Sequence, residues 1–150
     1  MIEYVVRETE DYFTLSVFFR ENGLGVHIEQ KKPERVLRMW RMDDAQTGEM
    51  LAAATLELRG GVAALGDIAV QDKVRGNGCG TVMLRTVIEE AQSRGVETLW
   101  ACAKEPDFYL HRGWQTADWD ASPDIAVYCS TCEKKDSLCH PKKMKLSLIR

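Results

Sequence analysis

The sequence has few prolines, no long hydrophobic run and no strong excess of either charge. Four prolines among 150 residues exclude a collagen-like or proline-rich chain. No stretch approaches the ~18 apolar residues of a membrane-spanning helix, and residues 1–7 lack the regions of a signal peptide. The net charge of −3 argues against a general binder of nucleic acid. We therefore expect a cytoplasmic protein with neither a membrane nor a nucleic-acid partner.

Five cysteines are an odd number, which in a reducing compartment favours free thiols or metal ligands over a disulfide framework. Cys129, Cys132, Cys139 and His140 form the pattern C-x2-C-x6-C-H, which could complete a tetrahedral zinc site. This spacing is tighter than in typical zinc ribbons, and the adjacent Cys139 and His140 would need a sharp turn to converge. Free thiols or a redox-dependent Cys129–Cys132 link are favoured, so we assign no metal ligand.

The remaining composition is that of an ordinary globular protein. Hydrophobic residues make up 45% and charged residues 29% of the chain, enough to build and solvate one core. The length suits a single domain over residues 1–150, with no internal repeat or low-complexity linker.

Hydrophobic periodicity in the first half predicts a strand over residues 2–6 and then a helix capped by Thr9. The helix has an aromatic and leucine face and ends at two glycines: Tyr12, Leu15 and Phe19, then Gly23 and Gly25. A short helical turn is expected over residues 26–30. Strands over 35–42 and 50–58 form a hairpin, and a third strand follows over 62–70.

In the second half, the pattern predicts a strand–loop–helix–strand unit between residues 62 and 102. Leu84, Val87, Ile88 and Ala91 lie on one face of the helix, and Gly95 ends it. The two strands should be parallel, and the connection between them should be a right-handed crossover. A short helix from Pro106 to about residue 112 and strands over 124–128 and 144–149 complete an α/β chain with a mixed sheet.

The segment Arg75-Gly76-Asn77-Gly78-Cys79-Gly80-Thr81 lies between a predicted strand and a predicted helix. Its glycines allow the backbone N–H groups to converge at the helix N-terminus, where they can bind phosphate oxygens. A Walker loop would need a lysine after the glycines, and the dinucleotide fingerprint has Thr81 in place of its third glycine. Both of these nucleotide-binding interpretations are therefore weak.

Two motifs resemble the GNAT superfamily of N-acetyltransferases. Arg75, Gly78 and Gly80 match R-x-x-G-x-G, the family's loop for the pyrophosphate of acetyl-coenzyme A, and residues 108–114, FYLHRGW, resemble F-Y-x-x-x-G-F/W. The resemblance implies a mixed, mostly antiparallel sheet with a central parallel strand pair, flanked by helices. It also implies transfer of the acetyl group from acetyl-CoA to an amine by direct attack.

The resemblance assigns the cofactor-binding positions. The end of the strand would bind the acetyl group and pantetheine through main-chain groups of Ile68, Ala69 and Val70. The loop would bind the pyrophosphate through Arg75, Gly76, Asn77, Gly78, Cys79, Gly80 and Thr81. Tyr109 would lie at the thioester sulfur and act as the general acid, whereas Phe108 and Trp114 are expected in the core.

Asp67 is our leading general base because it precedes the strand end that should hold the acetyl group, and burial could raise its pKa. A purely structural hydrogen bond at Asp67 stays an equal alternative, and Glu57 is a weaker candidate base. Lys104 is expected near a phosphate, since the asparagine that many relatives carry ahead of the F-Y motif is missing.

The acceptor is expected to be a small-molecule or peptide amine. If Asp67 shared the acceptor cleft with three further carboxylates, a cationic amine would be favoured: Asp118, Asp120 and Asp124. A homodimer is left open. The alternative from another functional class is a non-catalytic module of the same fold that binds or senses coenzyme A.

Overall fold

The computed structural model describes residues 2–126 and 141–149. Within these residues, seven strands form one sheet in the order β1-β2-β3-β4-β5-β7-β6. The strands are β1 Tyr4–Glu8, β2 Val36–Asp44, β3 Met50–Arg59, β4 Val62–Val70, β5 Thr98–Ala103, β6 Gln115–Ala117 and β7 Lys142–Ser147. The cysteine and histidine cluster of residues 129–140 lies outside the described residues, as does the end of the predicted strand 124–128, whose described part is not a strand.

Helices cover both faces of the sheet. In the described residues they are α1 Tyr12–Glu21, α2 Cys79–Ser93 and α3 Pro106–Leu110, with a 3-10 turn at Asp72–Val74. Successive residues of a strand point to opposite faces. Accordingly Ala52 and Ala54 of β3 belong to the core beneath α2, whereas Ala53 packs with the buried face of α1. No helix in the described part of the chain is long and apolar enough to cross a membrane.

The predicted parallel pair is confirmed at the centre of the sheet. β4 and β5 are parallel, and every other pairing of neighbouring strands is antiparallel within the described residues. The parallel pairing is short, because it joins only Ala64 to Trp100 and Leu65 to Ala101. Beyond Leu65, β4 continues along β3 to Val70 without a partner on β5. This leaves an open edge on β4 just before the glycine loop.

A β-bulge lies where β4 leaves β5. Ala54 pairs with Ile68 and Leu56 pairs with Leu65, so Thr55 of β3 faces two residues, Gly66 and Asp67. The Asp67 N–H donates to the Thr55 hydroxyl oxygen over 3.0 Å. A bulge re-aims the side chains that follow it. Here the bulge turns Asp67 toward the polar side chains of β3.

Replacing Gly66 with alanine is expected to lower the free energy of unfolding by about 2 kcal/mol or more. The added Cβ would overlap the buried Glu57 carboxyl group and the Thr55 hydroxyl, neither of which has room to move. Urea denaturation provides the measurement. Gly61→Ala is the control, because Gly61 has a positive φ but open space around it and should cost only about 1 kcal/mol. Equal losses in the two variants would contradict the overlap.

Local chemistry shifts several predicted boundaries. Asp11, not Thr9, caps α1: its carboxylate accepts from the Thr14 N–H over 3.1 Å, while the Thr9 hydroxyl accepts from the Asp11 N–H. Asp accepts such hydrogen bonds at least as well as Thr, and the helix accordingly begins at Tyr12. The helical turn predicted over residues 26–30 is absent. β6 was not predicted, since its three residues carry no hydrophobic alternation.

Candidate active site

The glycine loop joins the end of β4 to the start of α2. Gly76 and Gly78 have φ of 83° and 79°, in the left-handed region where residues with a Cβ are disfavoured. Gly78 is the N-cap of α2, and no side chain caps the helix. The first N–H groups of a helix have no acceptor within it. The loop therefore presents converging N–H donors at a positive helix end, which is a site for phosphate oxygens.

Gly80 allows α3 to pack beside the loop. A Cβ at this position would lie 3.2 Å from Cε1 of the Phe108 ring and 3.6 Å from a methyl group of Val70. The absence of that Cβ lets the Phe108 ring approach the first turn of α2. The two sequence motifs, which are 28 residues apart, thus meet in one place.

Two guanidinium groups flank the N-terminus of α2. Arg75 forms ion pairs with Asp72 at 3.1 Å and Glu105 at 3.6 Å, and its side chain is half exposed. Arg112 donates from Nη2 to the Thr81 hydroxyl at 2.7 Å and from Nη1 to the Phe108 carbonyl at 2.7 Å, and it stacks over the Phe108 ring. Sequence reasoning missed Arg112, although a basic residue inside the FYLHRGW motif was an available signal.

Two other residues predicted near the phosphates, Asn77 and Lys104, have side chains that donate to backbone carbonyls in the structure. The Asn77 side-chain amide donates to the Val74 carbonyl over 3.0 Å, and the Asn77 backbone N–H donates to the same oxygen. These bonds shape the loop from within. Lys104 donates to the Gly23 carbonyl at 2.8 Å, at the end of α1. The expectation that Lys104 approaches a phosphate is not met, because its ammonium is engaged on α1.

The residues predicted to bind the acetyl group and pantetheine lie on the open edge of β4. Ile68, Ala69 and Val70 pair with Ala54, Ala53 and Ala52 of β3. Their backbone groups that point away from β3 face the open side of the strand, where β5 has diverged. Free backbone donors and acceptors along an edge can bind an extended ligand with amide groups. The edge leads directly into the glycine loop.

A buried polar cluster lies beside this edge, on the α1 side of the sheet. It consists of Arg35, Thr55, Glu57, Arg59 and Asp67. Glu57 is fully buried and accepts from the Arg59 Nε at 2.7 Å, the Arg35 Nε at 3.2 Å and the Thr55 hydroxyl at 2.6 Å. Buried charges need such partners to offset the loss of hydration.

Asp67 is the least constrained carboxylate of the cluster. It is 8% exposed, and its Oδ2 lies 3.5 Å from the Arg59 Nη2 without forming a hydrogen bond to it. Burial raises the pKa of Asp67 to about 6; the charge of Arg59 opposes this rise and the charge of Glu57 adds to it. A carboxyl group with a pKa near 6 is ionised at neutral pH yet can accept a proton readily.

Tyr109 lies on α3 with its ring in the core. The residue is 5% exposed and packs edge-on against Phe108 and Trp114, with centroids 5.2 Å apart in each case. Burial, and next the charge of Asp67, raise the pKa of Tyr109 above its ordinary value. The phenol is therefore protonated at neutral pH and can act as a proton donor.

The four acidic residues expected in one acceptor cleft do not all line one cavity. Asp118 accepts from the Ala121 N–H at 2.9 Å and, with Asp120, lines a cavity of about 460 Å³ to which Asp67 does not contribute. The Asp124 backbone lies against Gly60 at the β3–β4 turn. Because Asp118 and Asp120 line a cavity without Asp67, the described residues give no support for a cationic acceptor.

Comparison with known proteins agrees with these motifs and this topology. The family model of the acetyltransferase (GNAT) family matches residues 3–115. No curated protein matches the chain.

Solved structures of the same fold cover nearly the whole chain. N-acetylglutamate synthase from Neisseria gonorrhoeae, crystallised with coenzyme A and N-acetyl-glutamate, superimposes with a TM-score of 0.74 at 19% identity. It covers 100% of this chain, which spans only 36% of that protein. The ribosomal-protein-S18-alanine N-acetyltransferase from Escherichia coli superimposes with a TM-score of 0.66 at 20% identity, and the match covers 99% of this chain and 96% of that one. A GNAT-family acetyltransferase from Staphylococcus aureus superimposes with a TM-score of 0.67 at 14% identity, and the match covers 98% of this chain and 100% of that one.

The match of the family model spans both sequence motifs and the strands and helices that position them. The splayed parallel pair and the glycine loop lie inside the matched region. The chain belongs to the GNAT acetyltransferase family.

Proposed function

We propose that this protein transfers the acetyl group of acetyl-CoA to an amine by direct attack, without a covalent enzyme intermediate. The observation that carries the proposal is the position of Asp67, a buried carboxylate with a pKa of about 6 beside the open edge of β4. That edge runs into a loop suited to phosphate oxygens. One continuous path thus joins an anion site to a group that can accept a proton.

The donor would bind along this path. The pyrophosphate would accept from N–H groups of Gly76 and of residues 78–81, with Arg75 and Arg112 supplying positive charge. The pantetheine amides would pair with the backbone of residues 68–70. Coenzyme A in the crystal structure of the N-acetylglutamate synthase is consistent with acetyl-CoA as the co-substrate.

The reaction needs two proton transfers. An alkyl ammonium with a pKa of ~10.4 is not a nucleophile, so the acceptor would first release one proton to solvent and react as the neutral amine. Asp67 would accept the second proton as the nitrogen attacks the thioester carbonyl. Backbone N–H groups of the β4 edge would stabilise the oxyanion. When the C–S bond breaks, Tyr109 would donate its proton to the departing thiolate. The products are the amide and free coenzyme A, and Asp67 and Tyr109 regain their starting states when Asp67 loses its proton to solvent and Tyr109 takes one up.

Calorimetry with acetyl-CoA, followed by a thiol-release assay over a panel of amines, tests the proposal. The panel should include amino acids, polyamines and peptides with free lysine or N-terminal amines. Binding of acetyl-CoA together with acceptor-dependent thiol release would support the enzyme. Binding without release for any amine would favour the alternative, a coenzyme A sensor, and absence of binding would overturn both.

Replacing Tyr109 with phenylalanine should lower kcat about tenfold or more while leaving the Kd for acetyl-CoA unchanged. Acid catalysis usually contributes more, but a thiolate of pKa ~8.5 is a good leaving group and needs less help. The substitution removes one hydroxyl and keeps the ring contacts with Phe108 and Trp114. Steady-state kinetics across pH provide the measurement.

Tyr4→Phe is the matched control for this experiment, because Tyr4 is exposed on the edge strand β1, and it should leave kcat unchanged. An unaltered kcat for Tyr109→Phe at every pH would remove the general acid from the mechanism.

A further inference from the structure

We propose that Glu57 and Arg59 are positioning residues for Asp67, which together hold its carboxylate at the β4 edge and set the pH at which it can accept a proton. This inference rests on the proposed function, in which Asp67 is the base. It assigns to the neighbouring strand the control of the reaction's pH dependence. Neither residue is placed in contact with the substrate.

The Arg59 guanidinium is held in one orientation. Its Nε donates to Glu57 at 2.7 Å and its Nη1 donates to the Ile125 carbonyl at 3.1 Å. Its Nη2 then points toward the Asp67 Oδ2 at 3.5 Å, and neither of these two atoms has a hydrogen-bond partner in the described chain. Arg59 therefore attracts Asp67 by charge but does not bind it through a hydrogen bond. Because the Asp67 Oδ2 is held near Arg59 by charge but accepts no hydrogen bond, it keeps its capacity to accept a proton.

Glu57 controls how strongly Arg59 acts on Asp67. It lies between two cations, accepting from Arg35 as well as Arg59, and its other oxygen accepts from Thr55. With Glu57 present, two guanidinium groups face two carboxylates and the cluster is close to neutral. Without its charge, Asp67 would face both arginines alone, and its ionised form would be strongly favoured.

The bulge supplies the geometry for this arrangement. Thr55, Glu57 and Arg59 alternate along β3, so their side chains share one face of the sheet. The extra residue in β4 brings Asp67 to that face, and Gly66 leaves room for the Glu57 carboxyl group and the Thr55 hydroxyl. The backbone feature and the charged cluster thus depend on each other.

Few other titratable groups act on this carboxylate. From the segment before β2, Arg35 lowers the pKa of Asp67. Tyr109 of α3 lies within electrostatic reach, and Cys102 of β5 acts on both Tyr109 and Arg59. The helix α1, which packs on the same strands, contributes Tyr12 and apolar side chains, none of them charged at neutral pH. Arg59 and Glu57 on β3 are therefore the two charged groups with the largest effect on Asp67, and Arg35 has a smaller one.

The test compares two substitutions with opposite expected effects on the acidic limb of the pH profile of kcat/KM. Glu57→Gln should move this limb down by about one pH unit, because it exposes Asp67 to unopposed positive charge. Arg59→Met should move it up by a similar amount, because it removes an attractive cation. Arg59→Lys should restore most of the original position. Arg38→Met, which changes an exposed arginine paired with Glu8 and Glu90, is the control and should leave the acidic limb of the profile where it is.

A direct titration separates this inference from the proposed function. Carbon-detected NMR of the Asp67 side-chain carboxyl reports its protonation in the whole protein, whether or not the protein turns over. Opposite shifts of this titration in Glu57→Gln and Arg59→Met support the inference even if no acceptor is found. An unmoved titration, or shifts in the same direction, would overturn it while leaving an active enzyme intact. Glu57→Gln keeps the size of the side chain. If Arg59→Met does not fold, a downward shift of the Asp67 titration in Glu57→Gln still tests the inference.

Discussion

Asp67→Asn is expected to lower kcat by about a thousandfold, within the range that a positioned general base usually contributes. Asparagine has nearly the same shape as aspartate and cannot accept the amine proton. The side chain lies off the path proposed for the pyrophosphate, so the Kd for acetyl-CoA should change little. Thiol release at saturating donor and acceptor, beside calorimetry with the donor, gives both quantities.

The pH dependence supplies a second, independent part of the same prediction. In the unsubstituted protein, activity should fall as pH decreases through about 6, because protonated Asp67 cannot act as a base. The residual activity of the Asn variant should lack this step. A pH profile with the same acidic limb in both proteins would show that another group is the base.

Stability should move in the opposite direction from activity. The folded-state pKa of Asp67 is raised from 3.8 to about 6, so the folded protein binds this proton more tightly than the unfolded chain does. Ionising Asp67 therefore destabilises the fold, and this cost develops as pH rises from about 4 to 6 and persists above. Asparagine, which stays neutral, should leave the protein at least as stable at pH 7.5. Loss of activity without loss of stability indicates a functional residue rather than a structural one.

Asp43→Asn is a matched control, because Asp43 is also 8% exposed and pairs with two arginines, Arg7 and Arg41, but lies on β2 and not on β4. That substitution should affect stability and leave kcat unchanged. Equal losses of kcat in the two variants would trace the effect to general disruption of buried ion pairs.

The parts of the site that are local in sequence could be predicted from it. The glycine loop lies between a strand and an amphipathic helix, and each of these features has a signature within a few residues. The residues of FYLHRGW follow the same rule: Trp114 is buried in the core as expected, and Phe108 is partly buried against it. The parallel pairing of β4 and β5 follows from the connection through α2.

The parts that depend on strand register could not be predicted. A bulge in β4 is an extra residue relative to the neighbouring strand β3, and the sequence of neither strand reveals it by itself. The cluster of Arg35, Glu57, Arg59 and Asp67 joins residues up to 32 positions apart, and its members become neighbours only through this register. Asp67 and, more weakly, Glu57 were identifiable as candidate bases; Asp67 immediately precedes the strand end expected to hold the acetyl group.

Side-chain competition accounts for other differences. Lys104 was expected at a phosphate because of its place after β5, but the Gly23 carbonyl at the end of α1 offers it a nearby acceptor. Arg112 was not expected at the loop, yet the Thr81 hydroxyl and the Phe108 ring fix it there. Long cationic side chains reach several acceptors, and sequence position does not decide between them.

Gly78→Asp should weaken the binding of acetyl-CoA about a hundredfold or more, equivalent to ~3 kcal/mol. Gly78 is the N-cap of α2 and has open space around it, so the new side chain meets no neighbour. Its carboxylate would lie at the positive end of the helix, where it would occupy the N–H donors and repel the pyrophosphate. Aspartate tolerates the left-handed conformation better than most residues and is a good N-cap, so the variant should fold. Calorimetry with acetyl-CoA measures the effect.

Gly48→Asp is the control for the backbone strain in Gly78→Asp. Gly48 has a φ of 77°, close to that of Gly78, and equally open surroundings, but it lies in the β2–β3 turn and caps no helix. Both substitutions add the same charge at the same backbone conformation, so any difference between them reports the site alone. Strong dependence of the Gly78→Asp defect on salt would identify charge repulsion as its cause. A folded Gly78→Asp protein that binds acetyl-CoA as tightly as Gly48→Asp would show that the diphosphate does not bind at the N-terminus of α2, and the role assigned to the glycine loop would be wrong.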